Sequence, residues 1–171
     1  MRRSALVPAT LMALSAMYSQ ATFSCERLVL MPHTIDAAEK EIDKRAPGRV
    51  EARLAHLLPG DGRDFLTGDD VFCMGDASAE LQILRAEDNR TTEEQIGFRL
   101  ILVEGELPDE MYFPREPVRA SGGFLSVMWL VGRLEPIKAV DFTIAIAAVD
   151  LAGNEGPMSQ PIRITHPRMD R

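Results

Sequence analysis

Aromatic residues are scarce, 6% of the 171 positions, and Trp129, Tyr18 and Tyr112 are the only Trp and Tyr. Sugar-cleaving and sugar-holding surfaces are usually walled by such rings, so a glycosidase site or a carbohydrate platform has little to be built from. Positive charge is also short. Lys and Arg number 19 against 26 Asp and Glu, a net charge of −7, and an acidic domain has no long-range attraction to phosphate backbones or anionic lipid. Neither nucleic acid nor a membrane surface is expected as a partner. The three histidines, His33, His56 and His166, are far apart and outside any HExxH pattern, which favours ordinary strand and loop histidines over metal ligands. No GxSxG and no GxxxxGK[ST] occurs, so serine hydrolysis and nucleotide binding have no footing.

Long apolar runs are confined to the first residues. Met1 to Ala21 has the plan of an export signal: Arg2 and Arg3, an apolar run from Ala5 to Met17 broken by Pro8, and Ser19-Gln20-Ala21 as a small-x-small cleavage site. Cleavage after Ala21 leaves an extracytoplasmic chain: periplasmic, surface-exposed or secreted. Two cysteines remain, Cys25 and Cys73. In an exported chain they read most simply as a disulfide. The alternative is a lipid on Cys25, for which Ser24 suits the position before the cysteine and Thr22 does not suit the third position before it. Only in that second case is a membrane involved.

The most informative stretch is Phe142 to Ser159. Phe142, Ile144, Ile146 and Ala148 alternate with Thr143, Ala145 and Ala147, the period of a strand with one face in a core. Asp150, Gly153, Asn154, Gly156 and Pro157 then supply turn residues, and Gln160 to Thr165 returns as a second strand. Taken in order, Phe142, Ile144, Ile146, Ala148, Val149, Gly153 and Ser159 resemble the last two strands of a fibronectin type III or bacterial immunoglobulin-like domain. Phe142 stands where that family usually has Tyr, so the hydroxyl bond of a tyrosine corner cannot form, and Trp129 falls in a late strand. The resemblance implies an all-β, antiparallel sandwich belonging to an exported envelope protein.

Further strands are expected at Ala79 to Ala86, Ile96 to Glu104 and Phe124 to Val131, with an edge strand between Met111 and Ala120. In the second of these, Ile96, Phe98, Leu100 and Leu102 share a face. Before them lie an edge strand at Arg27 to Ile35, marked by Pro32, and one short helix at Asp36 to Arg45. Arg49 to Leu54 alternates as a strand, although Val50, Leu54, Leu57 and Leu58 also fit a helix. This divides the chain into a signal (1–21), an N-terminal extension (22–78), a core sandwich (79–165) and a loose tail (166–171). Phe98, Leu100, Trp129, Phe142, Ile144 and Ile146 are the expected core.

Candidate contact residues sit in turns: Glu87, Asp88 and Asn89; Asp109; and Asp150, Asn154 and Glu155. Such loops can hold Ca²⁺, which takes six to eight oxygens, but Asp and Asn also populate turns by capping backbone groups, with no metal needed. No other cofactor is expected. The sequence therefore describes a non-enzymatic binding or structural module of the cell envelope, touching an unidentified envelope protein or glycan through end loops or edge strands. The alternatives are a hydrolase whose carboxylates the fold assembles and a Ca²⁺-stabilised adhesion module.

Overall fold

The computed structural model describes residues 30–74, 76–109, 111–131 and 136–169, without the side chains of 71–74 and 76. The segment read above as an export signal, Cys25 and the side chain of Cys73 lie outside the described residues. In chain order the elements are β1 (Met31–Pro32), α1 (Ala37–Ile42), β2 (Glu51–Leu58), β3 (Asp61–Arg63), β4 (Asp70–Met74), β5 (Asp76–Arg85), β6 (Gly97–Gly105), β7 (Met111–Tyr112), β8 (Val118–Arg119), β9 (Phe124–Leu130), β10 (Val140–Val149) and β11 (Ile162–His166), with a 3₁₀ turn at Glu93–Gln95. The chain is all-β apart from α1, a six-residue helix whose N-cap Asp36 accepts from the Ala38 N–H.

Every strand pairing is antiparallel. One sheet has the order β1-β8-β6-β10-β11, a second β2-β5-β9-β7, and β3 and β4 form a separate ribbon. One core joins the two larger sheets. Leu57, Ala79, Leu81, Leu125, Val127 and Trp129 come from the second sheet, and Phe98, Leu100, Phe142, Ile144, Ile146 and Ile164 from the first. All six expected core residues are buried.

Several expectations change. Residues 51–58 form a strand and not a helix turn: Leu57 goes inward against Ala79 while His56 pairs with Glu80 on the outer face. This strand edges the second sheet, so the sandwich begins well before residue 79, and a boundary there would cut β5. Leu102 is exposed although its partner Ile144 is fully buried. The register shifts just past this pair, between Thr143 and Ile144, where β6 carries one extra residue, Val103, and β6 is exposed from Leu102 onward. His166, assigned above to a loose tail, belongs to β11 and is 2% exposed, and Met169 exchanges two backbone hydrogen bonds with Ile137. That pairing supplies partners for backbone groups that would otherwise fray. The outer face of β10 is also enclosed at Ala145 and Ala147. Beyond its pairing with β11, its edge is continued by the returning loop, where the Gly156 and Ser159 N–H groups donate to Ala148 and Ile146.

Candidate functional site

Loops from distant parts of the chain meet where β10 ends and β6 begins, since Val149 pairs with Gly97. The segment after α1 brings Asp43, the segment after β5 brings Asp88, and the β10–β11 turn brings Asp150. Backbone bonds lock them together: Gly48 N–H to Glu87 O (2.9 Å) and Asp36 N–H to Leu151 O (2.7 Å). The Leu151 N–H also donates to Thr91 Oγ1 at 3.1 Å, and Asn154 Nδ2 to Asp43 O at 3.2 Å. Gly156 is required by this closeness, because a Cβ there would meet Pro47 O at 2.6 Å.

The three carboxylates each offer an oxygen within 4.8 Å of the others. Asp43 is 4% exposed and Asp150 0%. Asp43 Oδ1 accepts from the Arg45 N–H; Asp150 accepts from the Asn154 N–H and from Asn154 Nδ2, both at 2.8 Å. Asp88 Oδ2 accepts from the N–H groups of Arg90 and Thr91, whereas its Oδ1 is enclosed with no hydrogen-bond donor. Burial pushes Asp88 upward, but N–H bonds from Thr91, Arg90 and Asn89 and the Thr91 side chain outweigh it and hold the group below 3.8. The Arg90 guanidinium is committed to Glu39 at 3.0 Å while also feeling Asp43 and Asp88. Three carboxylates gathered this tightly form an all-oxygen donor set of the kind hard cations take.

Of the turn residues singled out in the sequence, Asp88, Asp150 and Asn154 meet here. Glu87 turns away to Arg85 at 2.9 Å, and Asn89 is exposed. Glu155 pairs with Arg99 at 2.8 Å. Asp109 sits at the opposite end of the sandwich, after the far end of β6, paired with Lys138 at 2.9 Å. The candidate loops therefore split between two ends and do not form one surface. Asp43 was missed: it follows a helix that its sequence marks only as a stop, and nothing local ties it to positions 88 and 150.

Asp64, a second missed residue, is buried on the open edge of β2. It accepts from His56 Nδ1 at 2.6 Å, the Leu57 N–H at 3.2 Å and the Leu66 N–H at 2.9 Å. Burial opposes its ionisation, but the His56 bond and those two N–H groups prevail and hold it below 3.8. Spacing could have suggested this pair, since Pro59 to Gly62 folds residue 64 back alongside residue 56. Comparison with protein-family models, with characterised proteins and with solved structures finds no match.

Proposed function

We propose that the protein is a non-enzymatic, exported immunoglobulin-like module of the cell envelope, whose loop end is braced by Ca²⁺ and presents the contact surface for a partner protein or glycan. The observation that carries this reading is the convergence of Asp43, Asp88 and Asp150, with Asp88 Oδ1 left enclosed and without a donor. Three mutually close carboxylates with little water around two of them repel one another, and a divalent cation turns that repulsion into attraction. Water would complete the six to eight ligands.

Strand order supports the immunoglobulin-like assignment. The runs β2-β5-β9-β7 and β6-β10-β11 have the A-B-E-D and C-F-G orders of that fold; β1 and β8 are additional to it, since β8 follows β7 in the chain and so does not take the place of C′. Since sandwiches host many roles, the function rests on the site. A carboxylate hydrolase needs one acid held above its ordinary value so that it can donate a proton. Asp64 and Asp88 are instead held below the usual carboxylate range by the hydrogen bonds they accept, so neither is poised to donate a proton.

Calorimetric titration of the full chain with CaCl₂ tests the reading. One saturable site is expected, weakened about tenfold or more by Asp43→Asn, Asp88→Asn or Asp150→Asn and untouched by Asp109→Asn. A flat titration, or binding that all three variants retain, would overturn it.

A further inference from the structure

On the outer face of the second sheet, at a distance from the aspartate cluster, the structure assigns a different cation site: we propose that His56 and Glu80 chelate a borderline divalent metal of the Zn²⁺ class. The argument starts from the imidazole. Nδ1 contacts the Asp64 carboxylate at 2.6 Å, and a carboxylate accepts, so Nδ1 carries the proton and Nε2 presents its lone pair. That is the arrangement in which a carboxylate behind a histidine fixes its tautomer and raises its basicity toward a metal.

The direction of Nε2 follows from what surrounds the ring. Asp64 lies on the open edge of β2, because the Leu57 N–H donates to its carboxylate and Leu57 O accepts from the Phe65 N–H. Nδ1 is therefore turned away from β5, and Nε2 is turned over it. The ring in fact leans across β5: its centroid lies 6.5 Å from that of Phe124 on β9, although β5 separates the two strands. Under it, as the Cα partner of His56, is Glu80, half-buried and with no hydrogen bond or ion pair among the described residues. Cross-strand partners place their Cβ atoms about 5 Å apart, a span that one metal closes with about 2 Å bonds to nitrogen and oxygen.

Ser126 adds an independent sign. It is the β9 partner of Glu80, is 4% exposed, and its Oγ is buried without a hydrogen-bond partner. A buried hydroxyl seldom stays unpaired, and a metal-bound water over Glu80 would give it one. The imidazole nitrogen distinguishes this site from the all-oxygen aspartate cluster and selects Zn²⁺ over Ca²⁺.

The test is calorimetric titration of the full chain with ZnCl₂, its thiols alkylated so that cysteine cannot compete. His56→Ala and Glu80→Gln should each weaken binding about tenfold or more, and Asp64→Asn, which removes only the support behind the ring, by about 10- to 100-fold. Asp109→Asn should bind as the parent does. His56 is 43% exposed in its side chain, and far-UV circular dichroism verifies that its replacement folds. The proposal is overturned if the parent does not bind Zn²⁺, if His56→Ala binds it equally well, or if the binding is lost in Asp43→Asn instead, which would put the metal in the aspartate cluster.

Discussion

Replacing Asp150 by Asn should change stability in opposite directions with and without Ca²⁺. The side chain is fully enclosed and has an oxygen within 4.8 Å of oxygens of Asp43 and Asp88. At an effective dielectric of about 20, two unit charges at that separation repel by about 3.5 kcal/mol. Neutralising Asp150 relieves two such contacts; water at half-buried Asp88 and the nearby Arg90 guanidinium reduce the relief to about 2–3 kcal/mol in all. Against this, the new amide keeps its bond from the Asn154 N–H but faces Asn154 Nδ2 with a second NH₂, which forfeits about 1 kcal/mol. Without metal the variant should therefore be more stable by about 1–2 kcal/mol, at about 2–4 °C of melting temperature per kcal/mol for a chain of this size. With Ca²⁺ at about 100 times its dissociation constant the parent gains about 2.7 kcal/mol and the variant little, so the order of melting reverses. Circular-dichroism melts in EDTA and in excess CaCl₂ measure both. If Asp150→Asn melts below the parent by the same margin in both buffers, the carboxylate merely braces the 150–154 turn and the charge argument fails.

Asp64 sets a pH dependence. Its folded carboxylate titrates below 3.8, while the unfolded one titrates near 3.9, so its contribution is complete above about pH 4 and is lost as pH falls through the folded value. Urea-derived stability should fall more steeply below about pH 4 in the parent than in Asp64→Asn; coincident acid limbs would refute the linkage. Gly105 has φ +85°, and a Cβ there would lie 2.5 Å from Asp141 O and 2.9 Å from Phe142 Cα. Gly105→Ala should cost about 2–4 kcal/mol by urea denaturation, and a loss under about 0.5 kcal/mol would mean that the two strands do not cross so closely. Ile144, 0% exposed, and Trp129, 4% exposed, should each cost about 2–5 kcal/mol on replacement by Ala; under about 1 kcal/mol would place them outside the core.

The sandwich was legible where alternation and turn chemistry act locally. Phe142 to Val149 and its Gly-Asn turn announce the β10–β11 hairpin because period two and positive φ are properties of neighbouring residues. Residues 50–58 were ambiguous for the same reason: Val50, Leu54, Leu57 and Leu58 suit either period, and only pairing with β5 decides. Leu102 keeps its register with Ile144 but sits where β6 becomes exposed, which no local pattern marks, and His166 was misplaced because its pairing with Val140 is a contact between strands distant in sequence. The aspartate cluster shows the limit most clearly. Asp88 and Asp150 stood out as turn residues, but their proximity, and the part of Asp43, depend on how the two sheets dock.

That docking also dictates when the cluster comes into being. Asp43, Asp88 and Asp150 belong to three connections separated by whole strands, so they meet only after β5, β6 and β10 have found their places. Non-local contacts of this kind carry the largest loop-closure cost and form late on the folding route. An ion held there would be absent from the transition state: it would leave the refolding rate almost unchanged and lengthen the lifetime of the folded chain by slowing its unfolding. Where the lifetime of the folded chain is set by how fast it unfolds, that escape rate governs its survival, and the loop end would act as a clasp fastened after folding is complete.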